Sequence, residues 1–136
     1  MHTVVDAVAL VAAIDRREVW HRKANRIFRE LPKPLITCEA AITEACYVLG
    51  SSALALDSIM TLLSSRTVRI GFSLGEELGP VEQLLRKYND VPMSLADACL
   101  VRMSELFDAP VFTFDTDFRI YRRNRRNIIP LIGIDN

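Results

Sequence analysis

Several common chemistries are ruled out by what this 136-residue chain lacks. It has only two histidines, His2 near the terminus and His21 in a helical stretch, so a Ser or Cys nucleophile would have no well-placed base. The three cysteines, Cys38, Cys46 and Cys99, form no CxxC pair. An odd count in apolar or small-residue surroundings excludes a disulfide framework and a Cys/His zinc site, and fits free thiols in a reducing compartment. Glycine is scarce at five residues, and Gly71, Gly75 and Gly79 are too widely spaced for a nucleotide fingerprint; neither GxGxxG nor GKS/T occurs. The longest apolar run, Ala7 to Ile14, cannot span a bilayer. No basic leader precedes it and Asp6 interrupts the run, so neither a signal peptide nor membrane attachment is expected. Cytoplasmic location is the expectation by default.

Half the residues are apolar and a quarter charged, the composition of an ordered protein large enough for one core, so residues 1–136 are read as a single domain. The net charge of zero hides an asymmetry. Residues 119–136 hold Arg119, Arg122, Arg123, Arg125 and Arg126 against Asp135, and the rest of the chain is correspondingly acidic. Such an arrangement sets carboxylates beside an anion-attracting segment.

Strand and helix signals alternate along the chain. Thr3 to Val5 reads as a short strand ending at Asp6, and Ala7 to Ile14 as a helix that Asp6 can cap. A charged break at Asp15 to Arg17 precedes a helix to about Glu30, with Trp20, Ala24, Ile27, Phe28 and Leu31 on one stripe and His21 exposed at its edge. Pro32 and Pro34 stop it. Leu35-Ile36 is a minimal strand, Thr37 can cap a helix over Glu39–Leu49, and Ser51 or Ser52 starts another to about Leu63. That helix has more apolar residues than one face needs, so part of it is expected to meet a partner. Thr67 to Phe72 reads as a strand, Gly75 to Tyr88 as a helix delayed or kinked by Gly79-Pro80, and Leu95 to Phe107 as a helix. Val111 to Phe114 is a strand, 119–126 an arginine-rich turn, and Ile128 to Ile132 a peripheral last strand. The alternation argues for an α/β fold, a parallel sheet with helices on both faces.

Chemistry is sought among the acids. Asp6 ends the first strand and can be a cap or a site acid. Glu44 has Ala40, Ala41, Tyr47 and Val48 as helical neighbours, and an acid in an apolar stripe is costly unless paired or metal-bound. Ser94-Leu95-Ala96-Asp97 resembles a capping box, and Asp97 can also point toward the strand ends. Asp115 and Asp117 follow the Val111–Phe114 strand directly. Glu39 is a first-turn helix acid, and Asp57, Glu76, Glu77, Glu82, Glu105 and Asp108 read as solvated surface. Carboxylates from four separated segments (Asp6, Glu44, Asp97 and Asp115, with Asp117 as a fifth) are what an all-oxygen Mg²⁺ or Mn²⁺ site needs, and they would repel one another without a cation. Asp115-Thr116-Asp117 also imitates the start of a haloacid dehalogenase-like phosphatase, but the 19 residues after it leave no room for that fold.

In their order these segments resemble PIN-domain ribonucleases of the small VapC toxin type. Val4-Val5-Asp6, the stretch from Leu35 through Ile42-Thr43-Glu44, Pro92 to Ala98, and Thr113-Phe114-Asp115-Thr116-Asp117-Phe118 match the family's four acid-bearing motifs. The resemblance implies a PIN-like three-layer sandwich with a central, mostly parallel five-stranded sheet. It further implies metal-dependent endoribonuclease activity with Mg²⁺ or Mn²⁺, an RNA substrate, a homodimer and a small antitoxin. Asp6, Glu44, Asp97 and Asp115 carry over as the catalytic set, Asp6, Asp97, Asp115 and Asp117 as metal ligands, and Thr113 as polar support. One departure stands out: where the family has Thr or Ser and then Asn or Ser after the first acid, this chain has Ala7-Val8. That departure motivates the alternative of a weak or inactive PIN-like module that binds RNA or protein.

Overall fold

The structure, a computed structural model, describes residues 1–50 and 52–136. Its elements run β1 (Val4–Val5), α1 (Ala7–Ile14), α2 (His21–Glu30), β2 (Leu35–Thr37), α3 (Glu39–Leu49), α4 (Ala53–Ser64) and β3 (Val68–Ile70). There follow a 3-10 turn (Leu74–Glu76), α5 (Leu78–Lys87), α6 (Leu95–Leu106), β4 (Val111–Phe112), a second 3-10 turn (Thr116–Arg119), β5 (Arg122–Arg123), β6 (Asn127–Ile128) and β7 (Leu131–Ile132). Five strands form one sheet in the order β3-β2-β1-β4-β7, every pair parallel. Successive strand residues point to opposite faces, and here both faces are buried. Val4, Ile36 and Val111 pack under α5 and α6, while Val5, Leu35 and Phe112 pack under α1, α2 and α4. Helix α3 closes one end, with Ala41 in the first cluster and Ala45 and Leu49 in the second. The result is an α/β three-layer sandwich.

The chain leaves β1 for β2 and β3 on one side, then returns to place β4 on the other. The order therefore reverses between β1 and β4. In open parallel sheets ligands collect beyond the carboxyl ends of strands at such a point, and Asp6 and Asp115 follow those two strands.

Several local expectations are corrected. Residues 15–20 form turns, and α2 begins at His21, so Trp20 is its N-cap residue, 44% exposed, and the buried stripe begins at Ala24. His21 is half-buried, its Nδ1 lying 2.8 Å from the Ala12 carbonyl oxygen and tying α2 to α1. Thr37 does not cap α3: Cys38 holds that position without a side-chain cap, and the Thr37 hydroxyl donates to the Val5 carbonyl at 2.8 Å. Of the two serines proposed to start α4, Ser52 is the N-cap residue but its side chain makes no capping bond, and Ser51 lies outside the described residues. Glu77 and Glu105 are not solvated surface, because both pair with Arg102, at 2.6 and 3.2 Å. The expected strand over 128–132 is two strands. Asn127–Ile128 pairs with Arg122–Arg123 as an antiparallel hairpin, and only Leu131–Ile132 joins the main sheet, at its edge.

Candidate active site

The parallel register dictates the first contact of the site. Val4 pairs with Val111 and Val5 with Phe112, so one residue further on Asp6 and Thr113 stand opposite each other. Asp6 is 3% exposed. One of its oxygens accepts from the Ala9 backbone N–H at 2.8 Å, capping α1, and the other accepts from the Thr113 hydroxyl. The cap and site readings of Asp6 are therefore compatible. Thr113 Oγ1 in turn accepts from the Asp115 N–H at 2.8 Å, and Asp115 Oδ1 accepts from the Asp117 N–H at 2.9 Å. Ala7 and Val8 have no side-chain donor to offer Asp6, and among the described residues its side-chain donor is the Thr113 hydroxyl from across the sheet.

Asp97 arrives from α6. The capping box foreseen there is present: Ser94 Oγ accepts from the Asp97 N–H and Asp97 Oδ2 accepts from the Ser94 N–H, each at 3.0 Å. The buried Tyr121 hydroxyl lies 3.3 Å from the same Oδ2 and also against the Pro92 carbonyl oxygen. Glu44, half-buried on α3, is close enough to Asp97 and Asp115 to feel their charge.

Burial and mutual repulsion act together on these acids. Asp6 is pushed from its ordinary 3.8 to about 7, chiefly by burial, with the Thr113 and Ala9 bonds opposing the shift and the Asp115 and Asp97 charges adding to it. Glu44 is raised by burial first, against the Ser94 hydroxyl, and then by Asp97 and Asp115. Asp97 is raised by burial and, beyond its Ser94 bond, by Asp115; Asp117 is raised by burial and Asp115. Among the described residues no ion pair involves any of the five acids. Such a cluster holds its charge at neutral pH only at a cost that a cation would remove.

The sequence matches the PIN domain family over residues 3–124. The chain belongs to that family. Several solved structures share the fold. One is VapC20 of Mycobacterium tuberculosis, described as a sarcin-ricin loop cleaving toxin, at 17% identity and a TM-score of 0.75 over 85% of this chain and 91% of that one. Another is FitAcB from Neisseria gonorrhoeae, at 11% identity and a TM-score of 0.56 over 84% and 88%. No curated protein sequence matches.

Within this PIN domain no three His, Cys, Asp or Glu side chains converge as a ready-made metal site among the described residues. Both Asp6 oxygens are engaged, and Asp97 and Asp115 each spend one oxygen on nearby backbone. Asp97 Oδ1 and Asp115 Oδ2 accept no bond among the described residues. The donor set still fits a hard divalent cation: it is all oxygen, drawn from four segments, and has no competing cation. The larger surface concavities of the PIN domain, about 510 and 620 Å³, lie between α1, α2 and α4 and contain none of the five acids.

The basic segment of the PIN domain divides. Arg119 and Arg122 bind backbone carbonyls of their own region, and Arg123 bonds the Ser104 carbonyl and pairs with Asp108 at 2.8 Å. Arg125 and Arg126 are exposed. Sequence reasoning missed Tyr121, whose only signal was an aromatic four residues after Asp117, and the second role of Ser94 beside Glu44.

Proposed function

We propose that this chain is a divalent-metal-dependent endoribonuclease that hydrolyses RNA phosphodiester bonds as one PIN domain over residues 1–136. The observation that carries the reading is that Asp6, Glu44, Asp97 and Asp117 are each raised in pKa in part by the charge of Asp97 or Asp115, and that none of the five acids is paired to a cation among the described residues. Asp6, Asp97 and Asp115 would hold Mg²⁺ or Mn²⁺, with Asp117 beside them. When bound, that ion supplies Lewis acidity toward a phosphodiester. Glu44, raised in pKa and spent on no cap, takes a proton from the attacking water. Thr113 keeps Asp6 aimed, and Tyr121 and Ser94 hold Asp97.

In the cell, the toxin of a cytoplasmic toxin–antitoxin pair is the role we assign, supported by the likeness to VapC20. No helix among the described residues is long and apolar enough to cross a membrane. The partners are then an RNA, a small antitoxin and a second copy of the chain. Self-association is supported by exposed apolar side chains on α3 and α4, Tyr47 at 87% and Leu54 at 77%, with Val48, Leu56 and Met60.

Structured RNA incubated with the protein should be cut with Mg²⁺ or Mn²⁺ and left intact with EDTA. Glu44→Gln should lower the rate by about 10²–10⁴-fold, and undiminished cleavage by Asp97→Asn protein sinks the assignment. A module that binds without cutting is the second reading, favoured by the unconverged carboxylates and the apolar Ala7-Val8 pair. Calorimetry separates the two, since that reading expects no heat from Mg²⁺ or Mn²⁺ binding.

A further inference from the structure

The turn between α1 and α2 carries a feature that the acid cluster does not account for. Trp20 lies nearly parallel to Phe114, the rings 3° apart in plane and 5.4 Å apart at their centroids. Phe114 is buried and directly precedes Asp115, so the exposed indole is anchored one ring away from the acid-bearing turn. The surrounding segment is the other basic stretch of the chain: residues 15–30 hold Arg16, Arg17, Arg22, Lys23, Arg26 and Arg29 against Asp15, Glu18 and Glu30, with Arg17 paired to Asp15 at 3.1 Å. The Lys23 ammonium lies over the Trp20 ring, 5.6 Å from its centroid, and a stacking base would displace this flexible side chain. Arg22, Arg26 and Arg29 line a depression of about 420 Å³ on α2, and none of the three pairs with an acid among the described residues.

We propose that Trp20 is a positioning residue that stacks a base of single-stranded RNA beside the acid cluster, while the cations of residues 16–29 track the backbone. The inference rests on the nuclease reading and adds to it where the strand lies. A flat aromatic face with flanking cations is the arrangement that binds single strands without reading their sequence, because every base has a π-face. Phe114 stiffens that platform from behind. The contrast with the apolar α3–α4 surface decides between RNA and a protein as occupant. Residues 39–64 contain Glu39, Glu44 and Asp57 and no Lys or Arg, so that face suits an apolar protein partner, whereas residues 16–29 attract phosphate.

Trp20 is the single tryptophan, so its fluorescence reports the contact directly. The full chain in EDTA is titrated at low salt with an end-labelled oligoadenylate and with an abasic ribose-phosphate oligomer of equal length. Anisotropy measures binding and tryptophan emission measures stacking. Oligoadenylate should quench the emission and bind Trp20→Leu protein about tenfold more weakly. The abasic oligomer should bind both proteins equally without quenching, and Trp20→Phe should recover most of the lost affinity. Leu still covers Phe114, and thermal melting checks that each variant is folded. RNA binding with unchanged emission, or oligoadenylate binding to Trp20→Leu as tightly as to wild type, overturns the stacking role and leaves the nuclease reading standing. Failure of any oligomer to bind, together with no cleavage in Mg²⁺ or Mn²⁺, overturns both. Quenching by polyglutamate but not by RNA overturns the proposal and assigns the face to an acidic protein partner.

Discussion

Asp6 serves the fold and the site with different oxygens, and its titration should be visible in stability. Its folded pKa of about 7 lies above the ordinary 3.8, so between those values the folded protein binds the proton that the unfolded chain has released. The stability it contributes is therefore complete below about pH 4 and lost as the pH rises through 7. Glu44, Asp97 and Asp117 are raised too and act in the same sense. Thermal melts in EDTA should fall across this window, and Asp6→Asn should flatten the fall; a wild-type profile no steeper than the variant's contradicts it. Thr113→Val should destabilise by about 1–3 kcal/mol, because it strips a buried donor from Asp6 and an acceptor from the Asp115 N–H. At this scale the acids were legible because a carboxylate after a β-prone run or inside an apolar stripe is out of place. Their supports were not. Tyr121 reaches Asp97 across 24 residues of sequence, and no local pattern encodes that approach.

Helix α6 shows how an element can aim a functional group. Its capping box fixes Asp97 Oδ2 toward the Ser94 N–H. Ser94→Ala should cost roughly 0.5–2 kcal/mol in denaturant unfolding but leaves the residue-94 backbone N–H and the Tyr121 hydroxyl on Asp97 Oδ2, so cleavage should fall no more than stability explains. Beyond β7 lies a second constraint. Gly133 has φ +105°, and a Cβ there would sit 2.4 Å from the Thr113 carbonyl oxygen. Gly133→Ala should lower the melting temperature and shift the backbone that presents Thr113; a variant as stable and active as wild type would refute this. The long periodic helices α3, α4 and α6 were readable from spacing. Short elements were not: residues 15–20 are charged like a helix start yet form turns, and Pro130 divides an apolar run between hairpin and sheet.

For the whole molecule, alternation of strand and helix was enough to predict a parallel sheet, but not the position of β1 between β2 and β4 that sets Asp6 opposite Thr113. Strand order depends on contacts far apart in sequence, and even the family resemblance supplied only a mostly parallel five-stranded sheet, without its order. The self-association proposed for the α3–α4 face predicts that Leu54→Glu lowers the solution mass to that of a monomer in light scattering, with thermal stability retained. A chain still leaving the ribosome exposes Asp6 early, yet the hydroxyl that aims it belongs to residue 113, and the strand presenting that residue is itself flanked by β7. Synthesis must therefore pass residue 132 before the complete sheet can form, so the Asp6–Thr113 contact is a late product of translation rather than an early one.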